Sequence, residues 1–219
     1  MATPGELVQT MAEVLGVPQP TVFQYDRSLA EHGLRSKKGR GRSAATVTAR
    51  DAANLLIAAM ATPVSGFPVK DAARVCETYA LLPSRTRYPR GRELSKTGWP
   101  TLPNLPYRHS FGDALSALIE FSGCGDVFKR PERRTEHIRF RVSLEGPRHR
   151  AEIVAFAAHG NGLSENITDT KRLVYRGSAK VDRDPVTRDE AFGDLTLRGS
   201  VTFVAIQALG SLLREGPHA

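Results

Sequence analysis

Five cations crowd into eight positions of the stretch LRSKKGRGRSAA (34–45): Arg35, Lys37, Lys38, Arg40 and Arg42, with no acid among them and glycines at 39 and 41. Guanidinium and ammonium groups at that density suit a phosphate backbone, whose counterions they displace. Glycine allows a close approach of the backbone, and arginine is drawn to the negative potential of a narrow minor groove. YPRGRE (88–93) repeats the Arg-Gly-Arg core. The chemistry on offer is contact with a polyanion.

Such an arm needs a frame. In ELVQTMAEVLGVPQPTVFQYDRSLAEHGL (6–34), Leu7, Val8, Met11, Val14 and Leu15 recur at helical spacing behind Pro4, a favoured helix-start residue. Gly16 suits a helix end that turns through positive φ. Val22, Tyr25 and Leu29 form a second apolar stripe, with Pro20 in its first turn and Gly33 at its end. Ala12, four residues before Gly16, leaves room for the two helices to approach. The outer face of the second helix then shows Gln19, Thr21, Phe23, Gln24, Arg27 and Ser28. Glutamine can pair with adenine and arginine with guanine or phosphate, while Thr21 and Phe23 can touch a thymine methyl.

Two short helices joined by a glycine turn, with these buried positions, resemble the helix-turn-helix of bacterial and phage transcription regulators. The resemblance covers residues 6–34. It implies that the second helix enters a major groove and that the DNA-binding residues are Gln19, Thr21, Phe23, Gln24 and Arg27, joined by Arg35, Lys37, Lys38, Arg40 and Arg42 of the arm. Pro18 and Pro20 depart from the pattern. They remove two amide donors at the start of the second helix, which leaves DNA contacts there to side chains.

The distribution of charge agrees with this division of labour. The chain has 219 residues and a formal charge of +8. Residues 1–108 carry 15 Lys+Arg against 8 Asp+Glu, so 15 − 8 = +7, and residues 109–219 carry 16 against 15, so 16 − 15 = +1. A basic half joined to a neutral half points to double-stranded DNA as partner of the first. Hydrophobic residues make up 40%, enough for a core, which excludes a disordered chain. Cys76 and Cys124 form neither a disulfide framework nor a zinc pattern. The longest apolar run, AANLLIAAMA (52–61), is far below the roughly 20 residues of a membrane span, and no signal-peptide pattern opens the chain. A cytoplasmic, nucleoid-associated protein without membrane contact is expected.

The predicted organisation is α+β in three parts. Residues 1–82 form a helical helix-turn-helix domain with its basic arm, completed by helices over 46–62 (Thr48 as cap) and 68–82. Residues 83–108 are a basic linker with five prolines, in which Trp99 is poised to dock on a neighbour. Residues 109–219 form a small antiparallel α+β domain: a helix over 110–123, strands over 137–146, 150–160, 172–181 and 193–201, and a closing helix over 202–215. In the first strand Ile138, Phe140, Val142 and Leu144 alternate with Arg139, Arg141 and Ser143.

Catalysis has one foothold, AHGNGLSENITDT (158–170), where His159, Glu165 and Asp169 could make a general acid-base pair. No nucleophile or second ligand stands at a telling distance from them, and P-loop, GxGxxG, HExxH and CxxC motifs are missing. The expectation is a non-enzymatic transcriptional regulator with no metal and no cofactor, acting as a homodimer. Its C-terminal domain would serve assembly or bind another protein. The alternative is a phage-type DNA-packaging protein resembling a small terminase subunit, and behind it a nucleic-acid-processing enzyme.

Overall fold

The computed structural model describes residues 2–36, 46–85, 105, 108–123, 136–146, 149–159, 166–177 and 197–215. Helix α1 (Pro4–Leu15) opens on a reciprocal cap: Thr3 Oγ1 accepts from the Glu6 amide, and the Glu6 carboxylate accepts from the Thr3 amide at 2.7 Å. Gly16 ends it at φ 63°, and α2 (Gln19–Glu31) follows after three residues. Helix α3 (Ala49–Ser65) is capped in the same way by Thr48 and Asp51. A 3-10 turn (Val69–Asp71) leads into α4 (Ala72–Ala80), and α5 (Phe111–Ser122) starts on a third such box, Ser110 with Asp113. The starts of α1, α3 and α5 are thus each set by two residues three apart.

Four antiparallel strands follow, β1 (Glu136–Gly146), β2 (Arg150–His159), β3 (Asn166–Arg176) and β4 (Leu197–Thr202), in the order β3-β2-β1-β4; helix α6 (Phe203–Glu215) closes the fold. The mixed α+β class is as expected. Register places Phe140 opposite Ala155, Val142 opposite Ile153 and Leu144 opposite Ala151, all buried on the inner face. The outer face is correspondingly polar, with Arg141 across from Val154 and Ser143 across from Glu152. β3 begins six residues earlier than the expected 172, so Asp169 lies in a strand, opposite Ala157 beside an irregularity in the ladder.

Helix α3 is the middle of the molecule. From Asp51 through Thr62 every residue is buried, and α2, α4, α5, β1 and β4 all pack against it. A helix apolar on all sides has to be enclosed. The boundary expected near Leu82 therefore marks no gap in packing. Residues of the first half (Leu7, Leu55, Tyr79) and of the second (Phe111, Phe140, Ile206) belong to one continuous core. Ser84 and Arg85 also reach the second half: Arg85 donates its amide to Val174 O at 2.8 Å, along the outer edge of β3. Beyond Arg85 the expected linker, including Trp99, lies outside the described residues apart from Leu105 and Arg108.

Gly210 of α6 packs directly on the end of α5, against Ser122 and the capping Gly123. A Cβ built on Gly210 would collide with Ser122 Oγ and Gly123 N, and would sit 2.6 Å from Ile119 O. Ser122 Oγ uses this proximity to share its one proton between Ile119 O and Ile206 O, both 2.8 Å away. Gly210→Ala should therefore lower stability by about 2 kcal/mol or more, since overpacking against backbone has no flexible neighbour to move. Because the core is shared, urea denaturation followed by circular dichroism should show helix and sheet signals lost in one transition. Two separated transitions would mean that the halves fold independently.

Candidate nucleic-acid interface

Helix α2 is buried along one side by Val22, Tyr25, Asp26, Ser28 and Leu29. Its other side carries Gln19, Phe23, Gln24 and Arg27 in the open and Thr21 at half exposure. Phe23 is 56% exposed, an apolar ring in the centre of a polar face. Arg27 is held by Glu31 at 2.8 Å, but both side chains are more than half exposed. Such a surface pair is worth only about 0.3–0.5 kcal/mol and yields readily to a phosphate or a base.

Ser28, expected on this open face, is instead buried. Its Oγ donates to Lys70 O at 3.3 Å and accepts from the Ala73 amide at 3.4 Å, which ties α2 to the start of α4. The buried stripe of α2 is wider than its apolar residues alone suggest because it meets both α3 and α4. At the N-terminus of α2, Pro18 O accepts from the Thr21 and Val22 amides, and Pro20 has no amide to give. Helix-end amides thus offer little to a phosphate, and the side chains remain.

Arg35 is a structural cation. Its Nε lies 3.0 Å from Oδ1 of Asp26, which is itself 5% exposed. Burial raises the Asp26 pKa; Arg35 opposes that shift and the neighbouring Asp51 adds to it. Lys37, Lys38, Arg40 and Arg42 lie outside the described residues, but the points where their segment leaves and returns are fixed. Asp51 accepts from the Ser36 amide at 2.7 Å through one carboxylate oxygen and from the Thr48 amide at 2.9 Å through the other. Asn54 Nδ2 donates to Leu34 O at 2.7 Å, and the Val47 amide donates to Ala2 O at 3.0 Å. One carboxylate at the N-terminus of α3 therefore clamps both ends of the basic segment. Asp26 and Asp51 were missed as parts of this site. The signal for Asp26 was its place on the buried stripe of α2, between Tyr25 and Leu29.

Among the other reactive side chains, Cys76, His109 and His149 act in packing. Cys76 donates to Asn54 O at 3.3 Å, and burial pushes its thiol up to about 12. His109 is buried with Nε2 3.0 Å from the Tyr175 hydroxyl. His149 stacks edge-on against Tyr79, and burial lowers its pKa. His159 ends β2 opposite Asn166, at the start of β3, while Glu165 lies outside the described residues. No group of three His, Cys, Asp or Glu able to hold a metal ion occurs among the described residues, and no helix among them is long and apolar enough to cross a membrane. No family model, no curated protein and no solved structure matches this chain.

The buried pair makes a prediction with a definite pH sign. Arg35→Ala leaves Asp26 buried and unpaired, which should cost about 2–4 kcal/mol at neutral pH by urea denaturation. A raised carboxyl pKa favours the fold below the ordinary Asp range, and that contribution is lost as pH rises through the raised value. The deficit of the variant should accordingly shrink toward acid, where Asp26 is neutral in both proteins. Adding Asp26→Asn should restore most of the loss. A deficit that ignores both pH and the second substitution would show the pair to be incidental.

Proposed function

We propose that this chain binds double-stranded DNA with sequence preference, as a transcriptional regulator of the helix-turn-helix kind. The observation that carries the reading is the open face of α2, which lies on a two-helix frame and is followed by a basic segment rooted on Asp51. Helix α2 has 13 residues, about 20 Å at 1.5 Å per residue, the dimension of an element lying in a major groove. Nine residues, 37–45, separate the described ends of the basic segment. Extended out and back, that length reaches at most about 15 Å from its root. This suffices for the phosphates flanking the groove that α2 would occupy.

In this reading Gln19, Gln24 and Arg27 read base edges, Thr21 and Phe23 contact thymine methyls, and Lys37, Lys38, Arg40 and Arg42 hold phosphates. Arg35 acts through the Asp26 pair, as the anchor of the arm. A homodimer would present two α2 helices about 34 Å apart, one turn of DNA, and so read a palindrome.

Two measurements separate the roles. Changing Lys37, Lys38, Arg40 and Arg42 to Ala should weaken binding to every duplex alike and reduce the slope of log K against log salt by about 3–4. Gln24→Ala or Arg27→Ala should cost about 1–3 kcal/mol on the preferred sequence and far less on a random one. Fluorescence anisotropy over a salt series reads both, after genome-wide mapping has supplied the preferred sequence. An unchanged slope in the first variant, or uniform loss across sequences in the second, contradicts the assignment.

A further inference from the structure

We infer that the outer face of the sheet, at the end where α6 begins, is a binding site for a small organic anion: a carboxylate or phosphate on a flat apolar body. The strand register lays this face out in rows. One row runs Arg172, Val154, Arg141, Thr202 across β3, β2, β1 and β4; the next places Glu152 beside Ser143 and Ser200. A further row pairs Arg150 with Glu145 and Glu145 with Arg198. Apart from Ser143 and Ser200, these side chains and the first residues of α6 line a hollow of about 860 Å³. That is the size of a small-molecule pocket, roughly 300–1,000 Å³.

Charge is distributed unevenly within the hollow. Five arginines and two glutamates line it, so 5 − 2 = +3. Glu152 is 5% exposed and collects two guanidinium groups closely, Arg172 Nε at 3.0 Å and Arg198 at 3.1 Å. Glu145 holds Arg150 at 3.6 Å and Arg198 at 3.7 Å. Both carboxylates thus sit toward one end and engage three of the cations. Arg141 is exposed and pairs with no carboxylate among the described residues.

Beside Arg141 the lining turns apolar. Val154 lies directly across from it, Phe156 is the next outward residue of β2, and Phe203 and Val204 form the wall at the start of α6. The Arg139 guanidinium lies 4.9 Å from the centre of the Phe203 ring, so this wall is already ordered. Val204 is 57% exposed, an apolar side chain facing solvent beside a cationic one. A guanidinium presents a planar fork that fits a carboxylate or phosphate, and the neighbouring rings suit a flat body. The position of the glutamates favours a compact ligand over a polymer: a phosphate chain crossing the whole face would have to pass Glu145 and Glu152. By charge alone, DRDPVTRDEAFGD (182–194) of this same chain is a competitor, with two arginines against five acids, 2 − 5 = −3.

Calorimetric titration of the full chain tests the inference with 2-naphthoate and 2-naphthyl phosphate as probes. Both should bind saturably at one site, about tenfold or more tighter than the neutral 2-naphthalenemethanol and than inorganic phosphate. The tighter of the two names the anionic group. Arg141→Ala should weaken them about tenfold, while Arg27→Ala, on α2, should leave them unchanged. Equal binding of the neutral alcohol, or indifference to Arg141→Ala, overturns the site. Displacement of naphthoate by a ten-residue thymidine oligonucleotide at equal concentration gives the face to nucleic acid and also overturns it. So does binding that emerges only when the five acids of 182–194 are changed to their amides, since the occupant is then the chain itself.

Discussion

The enclosure of α3 is the constraint on which the remaining structure depends. Twelve consecutive residues, Asp51 through Thr62, are shut away from solvent, and their polar side chains must find partners inside. They do: Asp51 takes the Ser36 and Thr48 amides, Asn54 takes Leu34 O, and Thr62 donates to Ala58 O at 2.7 Å. Alanines at 52, 53, 58, 59 and 61 keep the helix thin, which lets neighbours approach from several directions at once. Removing any large side chain from such a place leaves a cavity that neighbours fill only in part, typically a loss of about 2–5 kcal/mol for Leu or Ile.

Enclosure also decides where function can sit. Helices α2, α4 and α5 and strands β1 and β4 are each committed to α3 on one side, and only their other sides can meet a partner. For α2 that leaves Gln19, Phe23, Gln24 and Arg27; for the sheet it leaves the arginine rows. The polar end of α3 adds a second service. Its N-terminal carboxylate, placed there as a helix cap, is the group that fixes both ends of the basic segment. Arg50, in the same turn, pairs with Asp113 at 2.9 Å and joins the starts of α3 and α5. Ser110 and Arg50 lower the Asp113 pKa even though burial, the largest influence, pulls it upward.

What could be read from the sequence was what local chemistry decides. Thr48 as a cap, Gly16 as a helix stop, and the alternation of β1 all depend on residues a few positions apart. Helix α3 was harder, because a stripe of Leu55, Leu56 and Ala59 reads as amphipathic while the intervening alanines carry almost no periodic signal. The start of β3 escaped because Asn166 and Asp169 have low strand preference; pairing with the end of β2 overrides it. The convergence of Arg172 and Arg198 on Glu152 could not be read at all. It depends on strand order and register between residues 20 to 46 positions apart.

The basic charge of the chain also means something different once partners are known. A run of five cations looks uniform, yet Arg35 is consumed by a buried aspartate while Lys37 and its successors have no such neighbour in sequence. Burial works against the charge of Asp26, with Arg35 opposing that effect, and a hydrophobic pair in its place could be as stable. What the ion pair adds is direction: Arg35 has one place to go, so the chain leaves α2 along one path toward Asp51. On the sheet Glu152 plays the corresponding part, with a buried carboxylate orienting guanidinium groups that would otherwise spread. In both places acids sort the arginines into those that hold the fold and those left facing outward. Net charge therefore measures binding capacity poorly here. The positions of Asp26, Asp51, Glu145 and Glu152 locate it better.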